Sequence, residues 1–433
     1  MRVAVRDAQV VGPTTSFGEI AVVPGRRVAA LRSSAGGVVY GGYDQPNAMR
    51  VQLDDALVGR SAMPRADLGD RLPGDTVGVL DYSFANVKLL VTAAPQLRPG
   101  GLVREVTAAQ RDSQLAVATF NVENLDPSDP QSKFDRLARQ IVSNLRSPDL
   151  LALEEIQDGS GPARDGVVDS AATSDRLIAA VAAAGGPRYE ARWVDPTDGA
   201  DGGQPGGNIR QVFLFRTDRG LRFVDRPGGD ATTPVDVAGR GRSTHLTLSP
   251  GRVNPASSAW ASSRKPLAGE FRFRGQIVFV VANHFASKGG DDPLFGRWQQ
   301  PVRGSEVQRA EQARQVRSFV DKLLAADGRA NVVVLGDIND FEFSRTTDIL
   351  VGDGSLVDLP RTLPASERWT YVYQGNSQVL DQILISRALA GAPRGGKRPA
   401  YDYDIVHTNS PFADQDSDHD PQVVRLTLRG GRS

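Results

Sequence analysis

The chain has 433 residues, with 51 Lys+Arg against 51 Asp+Glu, 40% hydrophobic and 24% charged. That composition belongs to an ordinary globular protein long enough for two domains, and it excludes a disordered tail, a collagen-like repeat and a uniformly basic nucleic-acid coat. There is no cysteine, which removes disulfides, thiolate metal sites, iron–sulfur clusters and a Cys nucleophile in one step.

No apolar run approaches 18 residues, so no membrane helix is expected. The opening Met1–Asp7 alternates apolar and charged residues without a hydrophobic signal core, so an exported form would need a signal outside this chain. Only four histidines are present, His245, His284, His407 and His419. Imidazole chemistry therefore has very few places to sit.

The first hundred or so residues contain short apolar runs at 21–23, 37–40, 49–53, 76–82 and 87–91, separated by Gly, Pro, Asn and Asp. This pattern predicts five short strands forming a small barrel or sandwich over residues 1–110. Residues 95–101 break the pattern, and the polar run 107–114 reads as a junction.

From residue 115 the texture changes to strands alternating with helices. Strands are predicted at 115–121, 149–156, 211–216, 277–283, 331–335, 379–386 and 422–428. Apolar residues at helical spacing predict helices at 134–145, 171–184 and 307–324. The rhythm predicts a layered α/β domain over 115–430, with sheets inside and helices outside. The Gly- and Asp-rich stretch 195–208 reads as a flexible loop. A calcium site at Asp195, Asp198 and Asp201 is the minor reading there.

Polar residues placed directly after apolar strands carry the chemistry. They are Thr119-Phe120-Asn121, Leu153-Glu154-Glu155, Ala282-Asn283-His284 and Gly336-Asp337-Ile338-Asn339, joined by the turn Ser417-Asp418-His419-Asp420-Pro421 before the last strand. Asp381 adds an acid to an otherwise apolar strand. Strand ends hold side chains still and present them to a cleft. Carboxylate and amide oxygens are hard donors suited to Mg²⁺, Mn²⁺ or Ca²⁺. An imidazole beside them is a general acid or base near neutral pH. The combination fits metal-assisted hydrolysis of a phosphate ester.

These motifs, in this order over about 117–428, resemble those of the endonuclease/exonuclease/phosphatase superfamily, the fold of deoxyribonuclease I and of exonuclease III-type repair enzymes. Phe120–Leu125, Gly206–Arg210, Arg264–Leu267 and Asn283–Gly290 further resemble the large bacterial extracellular nucleases, which precede the nuclease with an oligonucleotide-binding-like β module. The resemblance implies a four-layer α/β sandwich preceded by a small β-barrel-like domain.

It also implies roles. Glu155 is the principal metal ligand, with Asn121 beside it and Asp418 completing the metal region. Asp337 and Asn339 position water and phosphate, and Asp337 is also placed to hold a second cation. His419 contacts the scissile phosphate, oriented by Asp381, and His284 is the second catalytic His. Arg264, Lys288, Asn208 and Arg210 are candidates to meet the substrate phosphate.

Three departures stand out. Glu154 occupies the usual Gln position, and Ile338 an aromatic one. The Glu that orients the first catalytic His is absent from Gly-Asn-Ile-Arg-Gln at 207–211. His245 and His407 are expected to have no catalytic role, and the 307–324 stripe is core-facing helix.

The resulting expectation is a divalent-cation-dependent DNA endonuclease, with RNA as a further substrate and no membrane or protein partner. Mg²⁺ or Mn²⁺ is the expected ion, with Ca²⁺ the further candidate. Extracellular or periplasmic residence is expected, with the cytoplasm as the alternative. The competing chemistry on the same fold is a phosphomonoesterase or other phosphoesterase, because fold alone does not choose a substrate.

Overall fold

The computed structural model describes residues 1–25, 30–391 and 399–428; the last two residues of the expected 115–430 domain lie outside that set. Near the N-terminus, five strands close into a barrel. Around it they run Arg2–Val10, Ile20–Val23, Val51–Asp54, Asn86–Val91 and Arg71–Ser83. All neighbours are antiparallel except Val51–Asp54 with Asn86–Val91, which are parallel.

Period-two alternation turns Val5, Ala8, Val10, Ile20, Val22, Leu53, Leu72, Leu89 and Val91 inward as one core. The register of the first strand slips between Arg6 and Ala8, where Asp7 takes φ 49°; this bulge helps the sheet curl.

The barrel's membership differs from the sequence expectation. The alternating start of the chain is itself a long barrel strand. The Val38–Val39 run, expected to join the barrel, instead pairs in parallel with Asn376–Gln378 of the hairpin Tyr371–Tyr373/Asn376–Gln378. Both valines are buried, and that hairpin edge is what covers their backbone. Residues 92–113 contain no helix or extended strand; Arg98 exchanges backbone hydrogen bonds with Arg71 of the barrel, and further on Glu105 N donates to His407 O and Thr107 N to Asn144 O in the following domain.

Residues 114–428 build two sheets. One runs Tyr401–Ile405, Gln422–Thr427, Gln114–Leu125, Leu150–Ile156, Arg210–Arg216 and Tyr189–Arg192. The other runs Leu221–Phe223, Leu267–Phe273, Gln276–His284, Asn331–Asp337, Asp381–Ser386 and Leu356–Asp358, with Gly251–Arg252 added beside Leu267–Phe273.

Alternation along the strands sorts the layers. Leu115, Val117, Leu150, Ala152, Phe213 and Phe215 meet Phe271, Val278, Val280, Val333, Leu335 and Ile383 between the sheets. Ala116, Ala118, Phe120, Leu151 and Leu153 face the opposite way, onto the helices Gln131–Arg139 and Ala171–Ala183. Phe279, Val281, Val332 and Val334 pack under the helix Glu306–Ala326.

The result is helix, sheet, sheet, helix: the four-layer sandwich. Phe213 and Phe271 meet edge to face at 5.4 Å in its centre, where truncating either ring would cost about 3–5 kcal/mol. No described helix is long and apolar enough to cross a membrane.

Candidate active site

Register delivers the polar residues to one edge of the sandwich. The strands Gln276–His284 and Asn331–Asp337 run in parallel with His284 opposite Asp337, and Asp381 pairs opposite Asp337 from the other side. In the facing sheet Asn121 pairs opposite Glu154. The close approach at Gly336 requires glycine, because a Cβ there would lie 2.0 Å from the Asn283 carbonyl oxygen, at φ 127°.

Glu155 owes its direction to a bulge. Glu154 and Glu155 together oppose Gln211 alone, since Leu153 pairs with Val212 and Ile156 with Arg210. Glu155 takes φ 64°, a conformation with a cost of order 1–3 kcal/mol for a non-glycine residue, which the surrounding structure must offset. Its carboxylate then accepts from Asn121 Nδ2 (3.1 Å) and from the Asn124 backbone N–H (2.9 Å).

Glu154 instead is fully buried and accepts from the Thr119 hydroxyl at 2.8 Å. Burial, with Asp381 and Asp337 nearby, pushes its carboxyl well above the usual range. A neutral Glu has nearly the shape of the Gln expected at this position.

Asp337 is the hub. Its Oδ1 accepts from the Asn339 N–H (2.8 Å). Its Oδ2 accepts from Asn339 Nδ2 (3.0 Å) and Asn121 Nδ2 (3.3 Å), and lies 3.4 Å from His284 Nε2 and 4.0 Å from His419 Nε2. Burial raises its pKa to about 7; Asp381 and Glu155 add to that rise, while His419 and the Asn339 N–H oppose it.

His419 Nδ1 lies 2.8 Å from Asp381 Oδ2, both side chains buried, while Nε2 faces Asp418 Oδ1 at 3.8 Å. Burial works to lower the His419 pKa, but Asp381, Asp418 and Asp337 outweigh it and hold it well above the ordinary value. The turn carrying His419 is pinned by Ser417, whose hydroxyl donates to the Asn121 carbonyl (2.7 Å) and accepts from the His419 N–H (3.1 Å). Asp420 anchors it further by accepting from the backbone N–H groups of Thr408, Asn409 and Ser410.

The structure thus brings together Asn121, Glu155, His284, Asp337, Asn339, Asp381 and His419, with half-buried Asp418 at the edge. Asn121 sits between Glu155 and Asp337 as a donor to both, while its Oδ1 accepts from the Glu123 N–H. As placed, it orients the two acids rather than offering an oxygen to an ion.

Of the four expected phosphate contacts, Asn208, Arg210 and Lys288 have protein partners, and Arg264 lies beside the acids of the site. The Asn208 amide donates to Asp158, Asp198 and the Val167 carbonyl and accepts from the Gly199 N–H. Arg210 is buried against Asp195 at 2.6 Å and also donates to the Val168 and Asn208 carbonyls. Lys288 pairs with Asp340 at 2.9 Å and lies 4.0 Å over the Phe341 ring.

Arg264 is buried, donates to the Phe285 carbonyl, and places its charge near Glu155 and Asp337. Asn208, Arg210 and Lys288 are engaged by partners inside the protein, where an unpaired polar group is costly; Arg264 keeps a buried Nε without a hydrogen-bond partner. The 195–208 stretch, expected to be flexible, is tied down by this network and by buried Asp201, which pairs with Arg252 (3.0 Å) and Lys265.

His284 shows the effect of the missing acid. Its Nδ1 has no hydrogen-bond partner. Burial, with Arg264 and His419 nearby, lowers its pKa well below the ordinary value, so the ring is neutral. Gln211 supports the backbone instead: with its amide turned to satisfy both ends, it accepts from the His284 N–H (3.0 Å) and donates to the Lys265 carbonyl (3.1 Å).

One contributor was not singled out from sequence. Tyr371 packs its ring 4.8 Å from the His419 ring, and its only sequence signal was alternation ahead of the Gln374-Gly375-Asn376 turn. His407, expected to be non-catalytic, stacks on Trp369 at 3.6 Å and pairs with Asp420.

Glu155, His284 and Asp337 offer ligand atoms within 4.8 Å of one another, as do Asp337, Asp381 and His419. A buried acid raised to about 7 by its neighbours is a group that a cation would relieve, so the donor set fits a hard divalent ion.

Residues 253–414 match the Endonuclease/Exonuclease/phosphatase family, and residues 1–99 match a domain of unknown function, DUF8508. No curated protein matches the chain.

Among solved structures, a humanized D. rerio TDP2 is similar at 17% identity and TM-score 0.45, over 72% of this chain and 99% of that one. An endonuclease/exonuclease/phosphatase from Bacteroides vulgatus is similar at 16% identity and TM-score 0.44, over 73% and 99%. A mannosyl-6-phosphatase from Bacteroides thetaiotaomicron is similar at 15% identity and TM-score 0.41, over 72% and 99%. The family match falls on the strands that carry His284, Asp337 and Asp381. The matched segment lies within the four-layer sandwich.

Proposed function

We propose that this protein hydrolyses phosphodiester bonds of nucleic acid, acting as a DNA endonuclease with a divalent cation held by Glu155 and Asp337. The observation that carries the reading is the convergence on Asp337 Oδ2 of His419, His284, Asn121 and Asn339, with Glu155 across the gap.

When bound, the ion would neutralise phosphate charge and lower the pKa of an attacking water. The protein's own groups do the rest. His419, kept protonated by Asp381, presents Nε2 to a phosphate oxygen and stabilises the charge that builds there. Asn339 and Asn121 hold the two carboxylates in place. Neutral His284 has Nε2 available beside Asp337 to position water or a phosphate oxygen.

The test is hydrolysis of supercoiled plasmid, RNA and p-nitrophenyl phosphate with Mg²⁺, Mn²⁺, Ca²⁺ or EDTA. Nicking of plasmid that stops with EDTA supports the proposal. Rapid turnover of p-nitrophenyl phosphate alone would replace it with the phosphomonoesterase reading.

A further inference from the structure

Tyr371 and Tyr373 are two residues apart on one hairpin strand and therefore share a face. Their rings stack, with centroids 6.3 Å apart and 23° between planes. Tyr371 adjoins His419, whereas Tyr373 is 51% exposed. The row leads outward from the catalytic imidazole into solvent.

The N-terminal module holds the outer end of this row. Val38–Val39 extends the hairpin sheet. Buried Arg50 donates to the neutral amides of Asn86 and Gln374 and lays its guanidinium 3.7 Å over the Phe295 ring. The Tyr82 hydroxyl donates to the Phe295 carbonyl at 2.7 Å. Three residues on, Trp298 is 64% exposed, with Arg297 4.7 Å over its ring. The barrel, the loop around 295–298 and the hairpin thus form one rim.

We propose that this rim is a track for an unpaired nucleic-acid strand on one side of the scissile phosphate. A base stacks on exposed Tyr373, whose ring half-buried Tyr371 backs from the His419 side, and an outer phosphate meets Arg297. The inference rests on the nucleic-acid reading of the catalytic site. Tyr373 and Trp298 are exposed aromatic faces that accept any base, and the Arg297 guanidinium beside Trp298 accepts backbone, which is the chemistry of sequence-tolerant single-strand binding. A paired duplex keeps its bases inside the helix, and a small phosphomonoester is too short to reach Tyr373. The barrel's part is to hold the rim in shape.

The full-length protein is assayed on single-stranded oligonucleotides of increasing length and on bis(p-nitrophenyl) phosphate. Wild-type KM is expected to fall with oligonucleotide length. Y373A should raise KM for the longest oligonucleotide about tenfold. It should flatten the length dependence and lower the oligonucleotide-to-bis(p-nitrophenyl) phosphate ratio of kcat/KM by the same factor. Y373F, which keeps the ring, should behave as wild type.

A Y373A enzyme with wild-type length dependence overturns the track, as does a Y373F enzyme as impaired as Y373A. A wild-type enzyme that hydrolyses bis(p-nitrophenyl) phosphate but cleaves no oligonucleotide overturns the nucleic-acid reading itself, and the track with it.

Discussion

His419 Nδ1 and Asp381 Oδ2 lie 2.8 Å apart, both buried, with the opposite ring nitrogen turned toward Asp337 and Asp418. The pair is the source of a charged imidazole in a site that burial would otherwise keep neutral. D381N removes the largest of the opposing charges. It should cut kcat by about 10²–10⁴ and move the alkaline limb of the pH–rate profile to lower pH. A D381N profile superimposable on wild type would show that the pair does not set the protonation of His419.

Glu155 is turned into the site by its bulge and positive φ, and accepts hydrogen bonds from Asn121 Nδ2 and the Asn124 backbone N–H. E155Q keeps the shape and removes the charge. Calorimetric titration with Mg²⁺ or Mn²⁺ should show binding weakened by about two orders of magnitude, and activity should fall by about 10²–10³. Unchanged metal affinity would remove Glu155 from the ligand set.

Protons and a metal ion compete for Asp337. Its carboxyl, raised to about 7 by burial and by Asp381 and Glu155, must lose its proton before it can bind a cation. Metal affinity should therefore be nearly flat above about pH 8 and fall about tenfold per unit below about pH 6. Affinity independent of pH across that window would rule out Asp337 as a ligand.

Asp358 carries a stability consequence outside the site. Neither of its oxygens has a hydrogen-bond partner, and Arg361 Nε is 3.4 Å away. Burial, aided by Glu342 and opposed by Arg361, raises its pKa to about 8. The folded-state pKa exceeds the unfolded value of about 3.9. The stability associated with the neutral carboxyl is therefore fully present below about pH 4 and lost as pH rises through about 8. D358N should match wild-type Tm near pH 4 and exceed it by roughly 2–4 °C at pH 8.5. Parallel melting curves across that range would contradict this.

Asn208 ties the 195–208 loop to Asp158 and Asp198. N208A should speed proteolysis of that loop and lower Tm, while kcat stays within about a factor of two of wild type, since surface-loop anchoring is not transition-state binding. A large loss of kcat with an intact loop would return Asn208 to the phosphate.

The candidate site was legible where a polar residue ends an apolar strand. Glu155, His284 and Asp337 carry that signature, because a sheet end exposes what the strand behind it rigidly aims; Asn121 instead lies inside the strand Gln114–Leu125 and His419 in the turn before Gln422–Thr427. Asp381 was legible as an acid interrupting an apolar run, since such a group needs a buried partner. Arg264, Arg210, Asn208 and Lys288 were not assignable in this way. A charged or amide side chain looks the same in sequence whether it faces a substrate or a buried carboxylate, and the partners found here lie 10 to 52 residues away. Gln211, behind the His284 backbone, was hidden for the same reason.

The strand-end motifs by themselves pointed to metal-assisted phosphate-ester chemistry, and the change from short strands to alternating strands and helices near residue 110 to the two-part architecture. These are properties of residue type and local period, which need no partner to be read. Only the tertiary structure decided that the Val38–Val39 pair leaves the barrel for the catalytic hairpin, that a bulge rather than simple alternation aims Glu155, and that Tyr371 and Tyr373 continue outward from His419. Each depends on strand pairing between segments distant in sequence. Pairing is set by which backbone edges and apolar faces remain to be covered once the cores close.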